Sequence, residues 1–168
     1  MNSGALVPDE MVNQSVEDRV QHPDSARGFI LDGYPRTVTQ AKLLDEMLKA
    51  RGICSVVVHL RVSYNEVIAR LSARRQCASC GTLSNESSGE VCAKCGSKMA
   101  LRDDDRPEVV MQRLQAYDLQ TKPVLEYFRA AGYPIFEVEA GSRAPQEIAE
   151  EIEHAMEAEL GAANVRTA

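Results

Sequence analysis

Two cysteine pairs, Cys77-Ala78-Ser79-Cys80 and Cys92-Ala93-Lys94-Cys95, each followed by a glycine, stand eleven residues apart, with Arg74 and Arg75 just before them and Arg102 just after. Four thiolates at this spacing can close a tetrahedron around one zinc ion, and the trailing Gly81 and Gly96 let the chain turn tightly beneath it. Two disulfides or a redox-active pair are the competing uses of such cysteines. A doubled knuckle in a chain that opens on polar Met1-Asn2-Ser3 favours the metal. Protein fills all four positions, so the ion is expected to be structural, with no open coordination site for an activated water. Guanidinium groups match phosphate oxygens in bidentate geometry. Arginines at the edges of a metal-stapled flap therefore point to a phosphorylated ligand.

A second constellation is Asp32-Gly33-Tyr34-Pro35-Arg36, which sets a carboxylate and a guanidinium just past the short apolar run Phe29-Ile30-Leu31. Ligands of open α/β sheets bind beyond the carboxyl ends of the strands, although Asp, Gly and Pro also make ordinary turns. Arg70 and Arg74 are four apart and share a helix face. Any one of Arg70, Arg74, Arg75, Arg102 and Arg113 is ordinarily a solvated charge; their placement on both sides of the flap singles them out. Asp103, Asp104 and Asp105 beside Arg102 fit a helix start, where negative charge meets the positive end of the dipole. A hinge, or an outer-sphere contact to hydrated magnesium, is the sharper alternative.

The elements that must position these residues alternate. Asp9 reads as the N-cap of a helix to about His22, Phe29 to Leu31 as a first strand, and Thr37 as the cap of a helix with apolar positions Ala41, Leu44, Met47 and Leu48, stopped at Gly52. Ser55 to Leu60 is a second strand and Tyr64 to Arg75 a helix. After the knuckles, a long helix from Pro107 should be kinked or divided at Pro123 and end at Gly132. Tyr133 to Val138 is a third strand, Ile148, Ile152 and Met156 stripe a last helix, and residues 161–168 form a flexible tail. The implied class is α/β, a three-layer parallel sheet with helices on both faces plus a small zinc ribbon.

With 168 residues, 44% hydrophobic and net charge −6, the chain fits one globular domain with a small insertion. The acidity argues against nucleic acid or an anionic membrane surface as partners, and no apolar run approaches the roughly 20 residues of a membrane span. A cytoplasmic location is expected. Cys54, opening a β-branched run, reads as buried and unreactive.

These residues resemble the adenylate kinases, in the zinc-containing long-lid form. The match begins at Gly4-Ala5-Leu6-Val7-Pro8-Asp9-Glu10 and includes Gly28-Phe29-Ile30-Leu31-Asp32-Gly33-Tyr34-Pro35-Arg36-Thr37 with Gln40. It runs on through the cysteine flap to Arg102 and Arg113, covering almost the whole chain. The resemblance implies a phosphate-binding-loop type of fold, partitioned into a core with the AMP-site half (1–75), a zinc-binding lid (76–100), the remaining core (101–160) and the tail. It further implies reversible transfer of a phosphoryl group from MgATP to AMP, giving two ADP, by a monomer with structural zinc and with magnesium carried on ATP.

In that scheme Ala5, Leu6, Val7, Gly33, Tyr34, Pro35, Arg36 and Gln40 line the AMP site, with Arg36 on the phosphate and Gln40 reading the base. Arg70, Arg74 and Arg143 serve ATP. Arg102 and Arg113 bridge both substrates, and Asp32, Asp104 and Asp105 surround magnesium. Arg36, Arg74, Arg102 and Arg113 are thus the catalytic cations, since charge spread over the transferring phosphoryl oxygens is stabilised by converging positive groups without a protein nucleophile.

Two features depart from the resemblance. The glycine-rich GxxxxGK phosphate loop is absent from the sequence, which implies a chain that starts at a downstream methionine and lacks the strand expected between the first two read here. Two strand edges would then be unpaired. The linker between the knuckles is also short for such lids, with Thr82-Leu83-Ser84 where an aromatic and a histidine are usual. The rival reading is a non-catalytic zinc-ribbon module that binds nucleotides or another protein; a kinase for another nucleoside monophosphate is disfavoured by Gln40.

Overall fold

The computed structural model describes residues 7–84 and 90–166, with side chains to residue 158. In chain order the elements are helices α1 (Asp9–Val20) and α2 (Val38–Ala50), strand β1 (Val57–Arg61), helix α3 (Tyr64–Ala73), strands β2 (Arg75–Cys77), β3 (Leu83–Ser84) and β4 (Met99–Ala100), helices α4 (Pro107–Ala116) and α5 (Lys122–Ala130), strand β5 (Ile135–Glu139) and helix α6 (Pro145–Arg166). They form two compact units, divided after Val62 and after Tyr117.

The unit built from residues 8–62 and 118 onward is the α/β layer structure. β1 and β5 pair in parallel, Val57 opposite Ile135 through to Arg61 opposite Glu139. Thr37 caps α2 by accepting from the Gln40 N–H, and this helix packs Ala41, Leu44 and Leu48 against Val124 and Phe128 of α5. Phe29, Leu31, Ile53, Val57, Tyr133 and Ile135 close around that core, and α6 packs on β5. Removing this apolar surface from water, at roughly 25 cal/mol per Å², is what fixes the helices on the sheet.

The expected first strand is not one. Residues 29–31 alternate as a strand would, Phe29 and Leu31 turned to the core and Ile30 94% exposed, but they join no ladder. Among the described residues β1 pairs with β5 alone, so the parallel sheet has two strands instead of three. Extended backbone becomes a strand only when a neighbour takes its hydrogen bonds.

Boundaries shift as well. Helix α3, expected to run to Arg75, ends at Ala73, so Arg74 follows in extended backbone instead of sharing a helix face with Arg70, and Arg75 opens β2. Pro8 stands at the N-cap of α1 without a side-chain cap bond, Asp9 is the first helical residue, and the helix ends at Val20. Cys54 lies in the link before β1 and is exposed, because the β-branched run enters the sheet only at Val57. The division expected at Pro123 appears as a π-helical turn, Tyr117–Thr121, between α4 and α5; a proline without an N–H releases a carbonyl one turn upstream. Helix α6 continues through Gly161 to Arg166, where a loose tail was expected.

Inside this unit one carboxylate ties three segments. Asp45 of α2, 5% exposed, accepts from the Tyr127 hydroxyl at 2.8 Å, the Tyr133 hydroxyl at 2.6 Å and Lys49 Nζ at 2.8 Å. Burial alone would raise its pKa, yet Lys49 and the two tyrosines outweigh burial and hold the carboxyl below its ordinary value. A depressed folded pKa adds stability above the unfolded value, and that stability is lost as pH falls through the folded one. Urea midpoints should therefore separate wild type from Asp45→Asn widely at neutral pH, and the gap should close below about pH 4. A constant gap down to strongly acid pH would show that the charge contributes nothing. Burial and Asp45 raise both tyrosines, so the stability they add is full below about pH 10 and is lost as pH rises beyond it.

The second unit, residues 63–117 together with Val7, surrounds the knuckles. Ser63 and Glu66 form a capping box at the start of α3, which packs on α4. β2 pairs antiparallel with β3 and with β4, Cys77 lying opposite Met99. The small core beneath is Cys77, Cys92 and Met99.

Candidate functional site

The second unit is organised by its cysteines. The ligand atoms of Cys77, Cys80, Cys92 and Cys95 lie within 4.8 Å of one another, with Sγ separations of 3.4 Å for Cys77 and Cys95 and 3.7 Å for Cys80 and Cys92. Each knuckle closes by a glycine N–H donated to the first cysteine carbonyl, Gly81 to Cys77 at 3.0 Å and Gly96 to Cys92 at 2.8 Å. Both glycines have φ of 72°, a conformation that a side chain resists. The Thr82 hydroxyl, 3.1 Å from Cys80 Sγ, and the Thr82 backbone hold the Cys80 thiol down at about 6, and the Ser97 side chain lowers Cys95. For Cys77 the Cys80 backbone bond pulls down, but burial and neighbouring thiols prevail and push it up to about 11. Four convergent sulfurs, two ready to ionise, fit one tetrahedral ion such as zinc.

Beside the knuckles lies a cavity of about 570 Å³ lined in part by Gln76, Cys77, Leu101, Arg102 and Asp104. Arg102 forms a two-point pair with Asp104, Nε and NH2 each donating at 2.8 Å, and Arg113 NH1 lies 3.7 Å from the same carboxylate. Burial tends to raise the Asp104 carboxyl, but Arg102 and Arg113 keep it below the usual range. Asp105 is closed off completely, with 0% side-chain exposure. It accepts Arg74 Nε at 2.7 Å and Arg74 NH2 at 2.5 Å, with Arg113 NH1 at 3.7 Å. Three guanidinium groups thus converge on two carboxylates. Asp105, expected near magnesium, instead spends both oxygens on holding Arg74; Asp104, 30% exposed, keeps an outer face. Arg70 is exposed on α3.

In the other unit, the loop after Leu31 is folded by its own polar bonds. Arg36 Nε donates to the Gly33 carbonyl at 2.6 Å, and a Cβ on Gly33 would meet Arg36 NH2 at 2.7 Å, so only glycine lets the guanidinium close on the turn. The Tyr34–Pro35 peptide is cis. Tyr34 donates to Asn13 Oδ1 at 2.7 Å, and burial together with the Asp9 charge raises its hydroxyl pKa. Thr121 Oγ1 donates to the Arg36 carbonyl at 3.0 Å. Gln40, 2% exposed, receives the Arg36 backbone N–H on Oε1 at 2.7 Å and donates from Nε2 to Asp9 at 2.7 Å. Arg36 and Asp32 themselves stay exposed. Arg143 is engaged by the Glu139 carbonyl and Glu151. Val7 is half-buried, and Ala5 and Leu6 lie outside the described residues.

An exposed guanidinium on a glycine turn, a four-cysteine ribbon and clustered arginines beside it are the parts of a phosphoryl-transfer enzyme. Residues 1–133 match the family profile of adenylate kinase. The chain belongs to the adenylate kinase family. It is 39% identical over 162 residues to the adenylate kinase of Thermoanaerobacter sp. (strain X514), spanning 93% of this chain and 74% of that one. Against the adenylate kinase of Archaeoglobus fulgidus it is 39% identical over 163 residues, 94% of this chain and 74% of the relative; against that of Pseudothermotoga lettingae, 43% over 134 residues, 76% and 62%. The enzyme is a phosphotransferase of this family with its α/β fold, and no described helix is long and apolar enough to cross a membrane.

For an adenylate kinase reading, the residues legible in the sequence fall into two groups. The structure brings Gly33, Tyr34, Arg36 and Gln40 together in one unit, and Arg74, Arg102, Arg113, Asp104, Asp105 and the four cysteines in the other. Sequence reasoning missed Asp9 and Asn13, read only as parts of a helix, and Thr82 beside Cys80. The signal for Asp9 was its place as the first helical residue behind Pro8, where its carboxylate is not used as the cap of α1 and is left for a distant partner.

Proposed function

We propose that the chain binds AMP on residues 33–40 and ATP phosphates with Arg74, Arg102 and Arg113, and carries the phosphoryl transfer that yields two ADP. The observation that carries this is the convergence of three guanidinium groups on Asp104 and Asp105. Ion pairs of this kind hold the guanidinium planes in place before a phosphate arrives, so less conformational entropy is lost on binding. The Arg36 guanidinium, exposed and anchored through Nε, offers its remaining N–H groups to the AMP phosphate in charge-assisted bonds. In the transition state the spread charge on the equatorial oxygens strengthens each of these contacts, which is the differential binding that accelerates transfer. Magnesium carried on ATP would supply further charge neutralisation, and within the unit of residues 63–117 the outer face of Asp104 is a carboxylate suited to its hydration shell. Zinc is the ion assigned to the four cysteines, as a staple with no part in the chemistry. The reading includes a monomer at work in the cytoplasm.

ADP formation from MgATP and AMP tests it, measured for the 168-residue chain and for a form extended upstream by a phosphate-loop segment. AMP-dependent ADP production that drops at least about a hundredfold in Arg36→Ala upholds the assignment, the loss expected for a charged contact strengthened in the transition state. Nucleotide binding without ADP in either form would mark a binding module instead.

A further inference from the structure

Gln40 is the amide that the AMP reading sets against the base, and its surroundings decide which way round that amide stands. On one side the Arg36 backbone N–H donates to Oε1; on the other Asp9 Oδ1 accepts from Nε2, both at 2.7 Å. Asp9 Oδ2 accepts the Thr37 hydroxyl at 2.8 Å, and Thr37 Oγ1 in turn accepts the Gln40 N–H at 3.1 Å. A backbone N–H only donates and an ionised carboxylate only accepts. Turned over, the amide would set donor against donor at Arg36 and acceptor against acceptor at Asp9, each a buried mismatch at a side chain 2% exposed.

One Nε2 hydrogen and one Oε1 lone pair are not used by these partners, and a base entering the site would meet those two. Adenine carries a donor at its 6-amino group and an acceptor at N1, whereas 6-oxopurines carry an acceptor at position 6 and a donor at N1. An amide held in one orientation satisfies both groups of one class and neither of the other. We propose that Asp9 is a specificity-determining positioning residue: by fixing the orientation of the Gln40 amide it sets the acceptor site for adenine against 6-oxopurines. This rests on the AMP reading of residues 33–40, and it deepens that reading by naming what orients the base-reading group.

The test is calorimetric titration of the 168-residue chain with AMP, inosine monophosphate and ribose 5-phosphate. Inosine monophosphate reverses both groups without adding the 2-amino group of guanine. Wild type should prefer AMP by about a hundredfold or more, the scale of two mismatched buried hydrogen bonds. Asp9→Asn, whose amide can donate to a turned Gln40, removes one of the two mismatches while the Arg36 N–H still opposes the turn, so it should cut that ratio about tenfold and leave ribose 5-phosphate affinity within about twofold. Thr37→Val removes the other partner of Asp9 and the α2 cap, so it should weaken both nucleotides together and preserve the ratio.

A ratio in Asp9→Asn within twofold of wild type overturns the proposal. So does a fall in Thr37→Val as deep as in Asp9→Asn, since Asp9 would then only anchor α1. Should Asp9→Asn melt at the assay temperature, Asp9→Ser, which both donates and accepts, is read against the same limits. If wild type does not distinguish AMP from inosine monophosphate, or Gln40→Met leaves its preference intact, the AMP reading itself fails and the role of Asp9 with it.

Discussion

Replacing Cys77 by serine is expected to drop bound zinc from one ion per chain to below about a tenth, and to melt the ribbon of strands β2, β3 and β4 at assay temperature. The reason is how little else holds the knuckles. Their buried core is Cys77, Cys92 and Met99, two of the three being ligands, and strands β3 and β4 are two residues each. Short antiparallel strands without a hydrophobic face are marginal in water, so metal binding and folding become one equilibrium. Thiolates are needed for binding, hence protons already compete with zinc at Cys77, pushed up to about 11, and affinity should fall more steeply once pH drops below about 6, where Cys80 is protonated as well. Metal content by atomic emission and a melt followed by circular dichroism, with and without chelator, check both statements. Cys54→Ser is the control and should change neither, since Cys54 lies away from the cluster and is exposed. Stoichiometric zinc in Cys77→Ser, or a melt indifferent to chelation, would remove the metal from the account.

The four-cysteine ribbon was legible because metal ligation imposes a local spacing rule, two residues between paired thiols and a glycine to turn, which needs no knowledge of the rest of the chain. Helices α2, α3 and α4 were legible for a similar reason, since a cap such as Thr37, a first-turn proline such as Pro107 and a periodic apolar face are local. The run from Phe29 to Leu31 was misread because strand character is not local: its alternation is correct, but Ile30 faces solvent and no strand among the described residues pairs with it. Site residues divide along the same line. Arg36 and Gln40 stood out by sequence, whereas the contact from Asp9 to Gln40 spans 31 positions. The pairing of Arg74 with Asp105 spans 31 as well. A run of three aspartates looks uniform in sequence, and only burial sorts it, Asp103 exposed with Arg106, Asp104 partly exposed with Arg102, Asp105 sealed with Arg74.

That sorting sets the second large effect. Asp105→Ala is expected to cost about 3–5 kcal/mol of unfolding free energy, the scale seen when one partner of a buried ion pair is removed. Arg74, 21% exposed, would be left with its Nε and NH2 donors unmatched beside Arg113, two like charges with their shared counter-charge gone. Its guanidinium pKa, raised chiefly by the hydrogen bond to Asp105, records the same coupling. Urea titration followed by far-ultraviolet circular dichroism measures the loss, and a change under about 1 kcal/mol would show that the pair is not the buried anchor described. The double replacement Arg74→Met with Asp105→Leu separates stability from chemistry. Apolar residues of similar volume often match or exceed a buried ion pair in stability, so the double variant should regain most of what Asp105→Ala loses. It should not regain ATP affinity, because a thioether cannot offer the two-point donor that a phosphate accepts. Recovery of stability with ATP binding still weakened at least about tenfold would locate the purpose of the pair in holding Arg74 for a phosphate; recovery of both would leave Arg74 a structural ion alone.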